Sequence, residues 1–179
     1  MGHTEILQPA VVLDRLNAAV KKTLNQDVKD AQTADGMDVA LCKINRNNNF
    51  KDPNIVAEVQ FAGAYRPLYH LNNGQITQYK GNRFPIGGIH NKDSNKFTNH
   101  TLKVRKSDSI FFFSDGLPDQ FGGADPEEDQ YSPQRIQEII LKNQSLSMDQ
   151  LAVKFDKDFT KFKADTFQYD DVLMIGIKF

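Results

Sequence analysis

From Met37 to Ser114 the chain reads as strands and turns, whereas residues 9–25 and the stretches following Ser132 and Ser147 repeat apolar side chains at helical spacing. Strands therefore follow strands without intervening helices. That excludes the βαβ alternation of a parallel nucleotide-binding sheet and selects an antiparallel one. The opening helical stretch, residues 9–25, repeats apolar side chains at Val12, Leu13, Leu16, Val20 and Leu24. It starts on Pro9 and sets Arg15, Lys21 and Lys22 on the opposite, wetter face.

Within the central region, MDVALCKI (37–44) is apolar on both alternating faces, which predicts a strand covered on both sides. IVAEVQFA (55–62) alternates, with Glu58 and Gln60 on its wetter face. Residues 67–71 and 75–79 flank Asn72-Asn73-Gly74, a hairpin signal because Asn and Gly tolerate positive φ. KGNRFPIGG (80–88) is a glycine-rich loop without the Lys-Ser/Thr ending of a P-loop. Strands over 98–105 and 109–114 are separated only by Lys106-Ser107-Asp108, which predicts a second hairpin. Ser132-Pro133 opens a helix burying Ile136, Ile139 and Ile140. Ser147 with Gln150 forms a capping box before Leu151, Phe155, Phe159 and Phe162, and Asp170-Asp171 lead into a last strand, VLMIGIKF. The order is helix, about six strands, two helices and one strand. It predicts an α+β fold of two stacked, mainly antiparallel sheets with helices outside, as one domain over residues 1–179.

Composition narrows the function classes. The chain is 39% hydrophobic and 25% charged, as in an ordinary globular domain with a core. A formal net charge of -1 gives no footprint for nucleic acid or an acidic membrane, and the one basic run, Lys103-Val104-Arg105-Lys106, reads as the wet end of a strand. Cys42 is the only cysteine, so an internal disulfide is excluded and a reducing, cytoplasmic compartment is expected. No apolar run approaches the ~20 residues of a membrane helix, and no secretory signal pattern opens the chain.

Chemistry concentrates in FFFSDGLPDQFGG (111–123) and in the late acid pair. A carboxylate at the mouth of a rigid strand binds a metal with little loss of entropy, and a few such oxygens with waters suit a hard cation such as Mg²⁺ or Mn²⁺. Asp115 stands at the end of one apolar strand and Asp170-Asp171 before another. Gly116 lets the backbone turn sharply, and a helical turn from Leu117 would bring Asp119 back to the same cluster. Asp-Gly is also a common turn dipeptide, and it is the combination that points to a cation. His3, His70, His90 and His100 lack zinc-ligand spacing. A haloacid-dehalogenase pattern fails, because Phe113 stands where its nucleophile would be and Leu117 where its Thr would be.

Taken in order, FAGAYRPLYHL, GNRFPIGG, FFFSDGLPDQFGG and DDVLMIGI resemble the SpoIIE-like branch of the type-2C, metal-dependent serine/threonine phosphatases over nearly the whole chain. The resemblance implies an αββα sandwich of two mainly antiparallel sheets flanked by helices. It implies two Mn²⁺ or Mg²⁺ ions per intact site, with Asp115 and Asp170 as metal ligands. Strand alternation sets Asp170 and Asp171 apart, and only the resemblance favours Asp170. Asp119 and Asp171 are candidates for binding the metal's waters rather than the metal, and Gly116, Gly63 and Gly87 match loops near the family's active-site edge. The substrate implied is phosphoserine or phosphothreonine on a bacterial regulatory protein such as an anti-sigma-factor antagonist, hydrolysed by a metal-activated water, with an N-terminal sensor region in the full-length protein.

One departure matters. The family's earlier strands, with an Asp-Gly whose carboxylate bridges both ions, have no counterpart in this sequence, and Asp35-Gly36 does not replace them. The expectation is a fold lacking its first strands, with an incomplete metal site and little activity. The alternative is a non-catalytic interaction module that keeps the fold.

Overall fold

The computed structural model describes residues 8–28, 33–46, 50–89 and 95–179, so the expectations for His3 and His90 lie outside the described residues. Its elements are α1 (Pro9–Thr23), β1 (Gly36–Met37), β2 (Val39–Asn45), β3 (Ile55–Ala64), β4 (Leu68–Asn72), β5 (Gln75–Tyr79), β6 (Ile86–Gly87), β7 (His100–Arg105), β8 (Ser109–Phe113), α2 (Pro133–Lys142), α3 (Met148–Lys163) and β9 (Met174–Lys178). All named strands pair antiparallel, in three sheets ordered β1-β6, β2-β3-β7 and β5-β4-β8-β9. The α+β class that the sequence predicts is the one observed. The chain forms two compact units, one of Met1–Leu68, Gln78–Lys106 and Phe179, the other of Tyr69–Thr77 and Ser107–Lys178.

In the first unit β3 is the central strand. Ala57, Val59 and Phe61 are fully buried, while Glu58 and Gln60 between them stay partly exposed, as the alternation predicts. Three expectations change. The stretch 37–44 splits at Asp38, whose carboxylate pairs with Arg66 at 2.9 Å, and β2 is half-buried rather than covered on both sides. The glycine-rich loop contains a short strand, β6. In α1, Leu13 and Ala10 are buried, but Val12 and Leu24 are exposed while Lys21 and Asn17 are buried. The reason is what α1 packs against, for it meets backbone as well as apolar side chains. Asn17 Oδ1 accepts from the Gly87 N–H at 2.8 Å, and Gln26 Oε1, just past the helix, accepts from the Gly88 N–H at 2.8 Å.

In the second unit the β4–β5 hairpin turns on Asn73 (φ 48°) and Gly74 (φ 73°), as Asn72-Asn73-Gly74 predicts. Phe111 and Phe113 of β8 join Tyr69, Leu71 and the buried faces of α2 (Ile136, Ile139, Ile140) and α3 (Leu151, Phe155, Phe162) in one core. The capping box at Ser147 and Gln150 is formed in both directions. Arg135 Nε donates to Asp158 Oδ1 at 2.7 Å and the Tyr131 hydroxyl to the same oxygen at 3.0 Å, which ties α2 to α3.

The second predicted hairpin does not form. β7 pairs with β3, whereas β8 runs between β4 and β9. Asp108 explains the change of partner. Its carboxylate, buried at 4% exposure, accepts from Asn72 Nδ2 at 2.6 Å and lies 2.9 Å from His70 Nε2, so the entry to β8 is fixed to β4. Ser107, at φ 77°, makes the turn.

Candidate metal centre

The apolar run of β8 ends at Phe113, where Ser114 begins a turn. The Asp119 N–H donates to the Asp115 carbonyl at 3.0 Å and the Leu117 N–H to the Ser114 carbonyl at 3.4 Å, which is one helical turn anchored by buried Leu117. That turn carries both Asp115 and Asp119. Alongside it, β9 pairs with β8 in a register that ends at Phe113↔Met174. The late acids therefore arrive at the same end of the sheet as Asp115.

Beyond the ladder, specific bonds hold the two acid-bearing segments together. The Ser114 N–H donates to the Leu173 carbonyl at 3.0 Å. Ser114 Oγ accepts from the Leu173 N–H at 2.9 Å and donates to the Asp171 carbonyl at 2.8 Å. Gly116 lies so close to the same strand approach that a Cβ there would stand 2.5 Å from the Asp171 carbonyl oxygen. Gln120, buried at 5% exposure, donates from Nε2 to the Phe167 carbonyl at 3.0 Å.

The result is a cleft of about 130 Å³ lined by Asp115, Gly116, Asp119, Gln120, Tyr169 and Asp170. Asp171 is not among its lining residues. Regular β-structure starts only at Met174, so the local turn, with Asp170 Oδ1 accepting from the Asp171 N–H at 2.7 Å, separates the two neighbouring acids. Gly63 and Gly87 belong to the first unit. A Cβ at Gly63 would meet the Arg66 carbonyl oxygen at 2.2 Å, and Gly87 has φ 76° with its N–H bonded to Asn17. Local packing accounts for both glycines.

The carboxylates of Asp115, Asp119 and Asp170 line a space with room for water, with no Cys or His beside them. Mg²⁺ and Mn²⁺ match such a set, because a small hard cation often takes one or two carboxylates and keeps several waters. Among the described residues no group of three or more His, Cys, Asp or Glu could hold a metal ion. No Ser, Thr, Cys or His is among the lining residues. Cys42 lies elsewhere, its thiol pushed up to about 11 by burial, and His70 is engaged with Asp108. Sequence patterns single out Asp115, Asp119 and the Asp170-Asp171 pair, of which the resemblance favours Asp170, but they miss Ser114, Gln120 and Tyr169. Ser114 stands in the quoted SDG, yet its partners are backbone atoms that leave no mark in sequence.

Comparisons with known proteins address the whole chain. The family model described as Stage II sporulation protein E (SpoIIE) matches residues 3–179. Among solved structures, the SiaA-PP2C domain of Pseudomonas aeruginosa aligns with TM-score 0.78 and 21% identity, covering 96% of this chain and 61% of that one. The phosphatase domain of the cell fate determinant SpoIIE from Bacillus subtilis, presoaked with Mn, aligns with TM-score 0.55 and 11% identity, covering 99% and 76%. PppA, a regulatory component of T6SS in Pseudomonas aeruginosa, gives TM-score 0.53 and 15% identity, covering 93% and 67%. No curated protein matches the sequence. The solved neighbours, at such low identities, establish the fold as that of PP2C-type phosphatase domains, of which this chain spans 61% in the case of SiaA. Since the family model runs from residue 3 to the last residue, the chain belongs to the SpoIIE family.

Proposed function

We propose that this chain is the metal-binding part of a protein serine/threonine phosphatase, with phosphoserine or phosphothreonine on a bacterial regulatory protein as substrate. An anti-sigma-factor antagonist is the kind of protein the family resemblance suggests. The observation that carries the proposal is the close apposition of the Ser114-Asp115-Gly116 turn and the Asp170-Asp171 segment around one carboxylate-lined cleft. Asp115 and Asp170 would hold Mn²⁺ or Mg²⁺, and Asp119 would bond to a water on the cation's open side. A divalent cation there supplies an acidified water and positive charge for the phosphoryl oxygens. Gly116 keeps the floor of the cleft free of side-chain bulk, and the fixed backbone of both segments holds the two carboxylates in place before a cation arrives. We place the protein in the cytoplasm on its lone cysteine. Among the described residues no helix is long and apolar enough to cross a membrane. A sensor region joined to this domain and a phosphorylated protein partner complete the proposal.

The 179 residues by themselves offer the cation few carboxylates, so weak binding and slow hydrolysis are expected of them. Manganese titration by calorimetry, together with hydrolysis of a phosphoserine peptide, tests this. Asp115→Asn and Asp170→Asn should each lower Mn²⁺ affinity at least tenfold, the scale of losing one charged ligand. Unchanged affinity in both variants would refute the site. The second reading, a binding module without chemistry, is favoured by the lack of any described three-ligand group. It predicts no Mn²⁺-dependent hydrolysis at any cation concentration.

A further inference from the structure

We infer that Ser114 and Gln120 are positioning residues, a two-point clamp that holds segment 167–173, with Asp170, against the turn carrying Asp115 and Asp119. The β8–β9 ladder stops at Phe113↔Met174, so regular pairing does not reach this segment. Side-chain packing holds it at Val172, which lies partly buried against the core, while Phe167, Tyr169 and Leu173 are 69%, 79% and 58% exposed. The other anchors are polar. Ser114 engages the C-terminal end through its N–H and through both capacities of its hydroxyl, at 3.0, 2.9 and 2.8 Å. Gln120 engages the N-terminal end through Phe167, and its amide also donates to the Phe121 carbonyl at 2.9 Å, which fixes its rotamer. Between these two points Gly116 presses on the Asp171 backbone. Each clamp residue comes from the turn that bears Asp115 and Asp119, so the clamp fixes one set of carboxylates relative to the other.

The consequence for a cation rests on the function proposed above, whereas the clamp itself does not. The experiment compares the 179-residue chain with Ser114→Ala, Ser114→Thr and Gln120→Met, each checked for folding by thermal melting. In S114A the Leu173 amide should exchange hydrogen about tenfold faster, since its acceptor is gone. Mn²⁺ affinity should fall about 10–100-fold, as when an outer partner of a metal ligand is removed. S114T, which keeps the hydroxyl, should restore both. Q120M should lower Mn²⁺ affinity without exposing the Leu173 amide, an independent arm should S114A unfold. A Leu173 amide as protected in S114A as in the parent overturns the clamp. So does faster exchange with parental Mn²⁺ affinity. If the parent takes up no Mn²⁺, the cation proposal falls, and the clamp is decided by exchange at Leu173 and its rescue by Thr.

Discussion

Gly116 shows what a single hydrogen atom decides. Any side chain there would drive its Cβ into the Asp171 carbonyl oxygen at 2.5 Å, and both parties are backbone, so neither can rotate away. Gly116→Ala should therefore destabilise the chain by about 1–3 kcal/mol, the usual cost of overpacking. It should also loosen Mn²⁺ binding by moving the Asp170 segment off the Asp115 turn. Urea denaturation and a manganese titration check the two effects separately. At this scale the sequence is half informative. An Asp one residue beyond four apolar strand residues announces itself, because an apolar run and an acid just past its end are both legible in sequence. The demand for glycine does not, because it arises from a contact with residues far along the chain.

Helices α2 and α3 illustrate the next scale. Their apolar periods and their caps at Ser132 and Ser147 are local, and both helices form where those signals predict. Their union is not local. Burial alone would raise the pKa of Asp158, but the bonds from Arg135 and Tyr131 outweigh it and hold the carboxyl below its ordinary value. Tyr131 is fully buried, so Asp158→Ala leaves its hydroxyl and the Arg135 guanidinium without that acceptor. The expected loss is about 1–3 kcal/mol at pH 7. A carboxylate with a depressed folded pKa stabilises above its unfolded pKa of about 4 and stops doing so as pH falls through its folded value. The gap between parent and D158A in urea should thus narrow towards pH 3, and an unchanged gap would contradict the assignment. The helix α1 gives the complementary lesson: period predicts the helix, but the buried Asn17 depends on the loop it packs against, where it holds the Gly87 N–H.

For the molecule as a whole the decisive event is the change of sheet between β7 and β8. A three-residue link between two strands reads as a hairpin, because its length suits one. Asp108 overrides it through Asn72 and His70 on β4. Asp108→Ala should cost about 1–3 kcal/mol, since it removes the partner of buried His70 and of half-buried Asn72 at once, and chemical denaturation will show it. By itself the sequence determined the class of the fold, the helices, most strands, and Asp115, Asp119 and the late acid pair as candidates, all of which follow from periodicity, turn residues and the chemistry of carboxylates. Only the tertiary structure decided which strands share a sheet, which of two adjacent aspartates faces the cleft, and which side chains hold that choice in place. Those outcomes depend on contacts between distant parts of the chain, several of them to backbone atoms, which leave no mark in the local sequence.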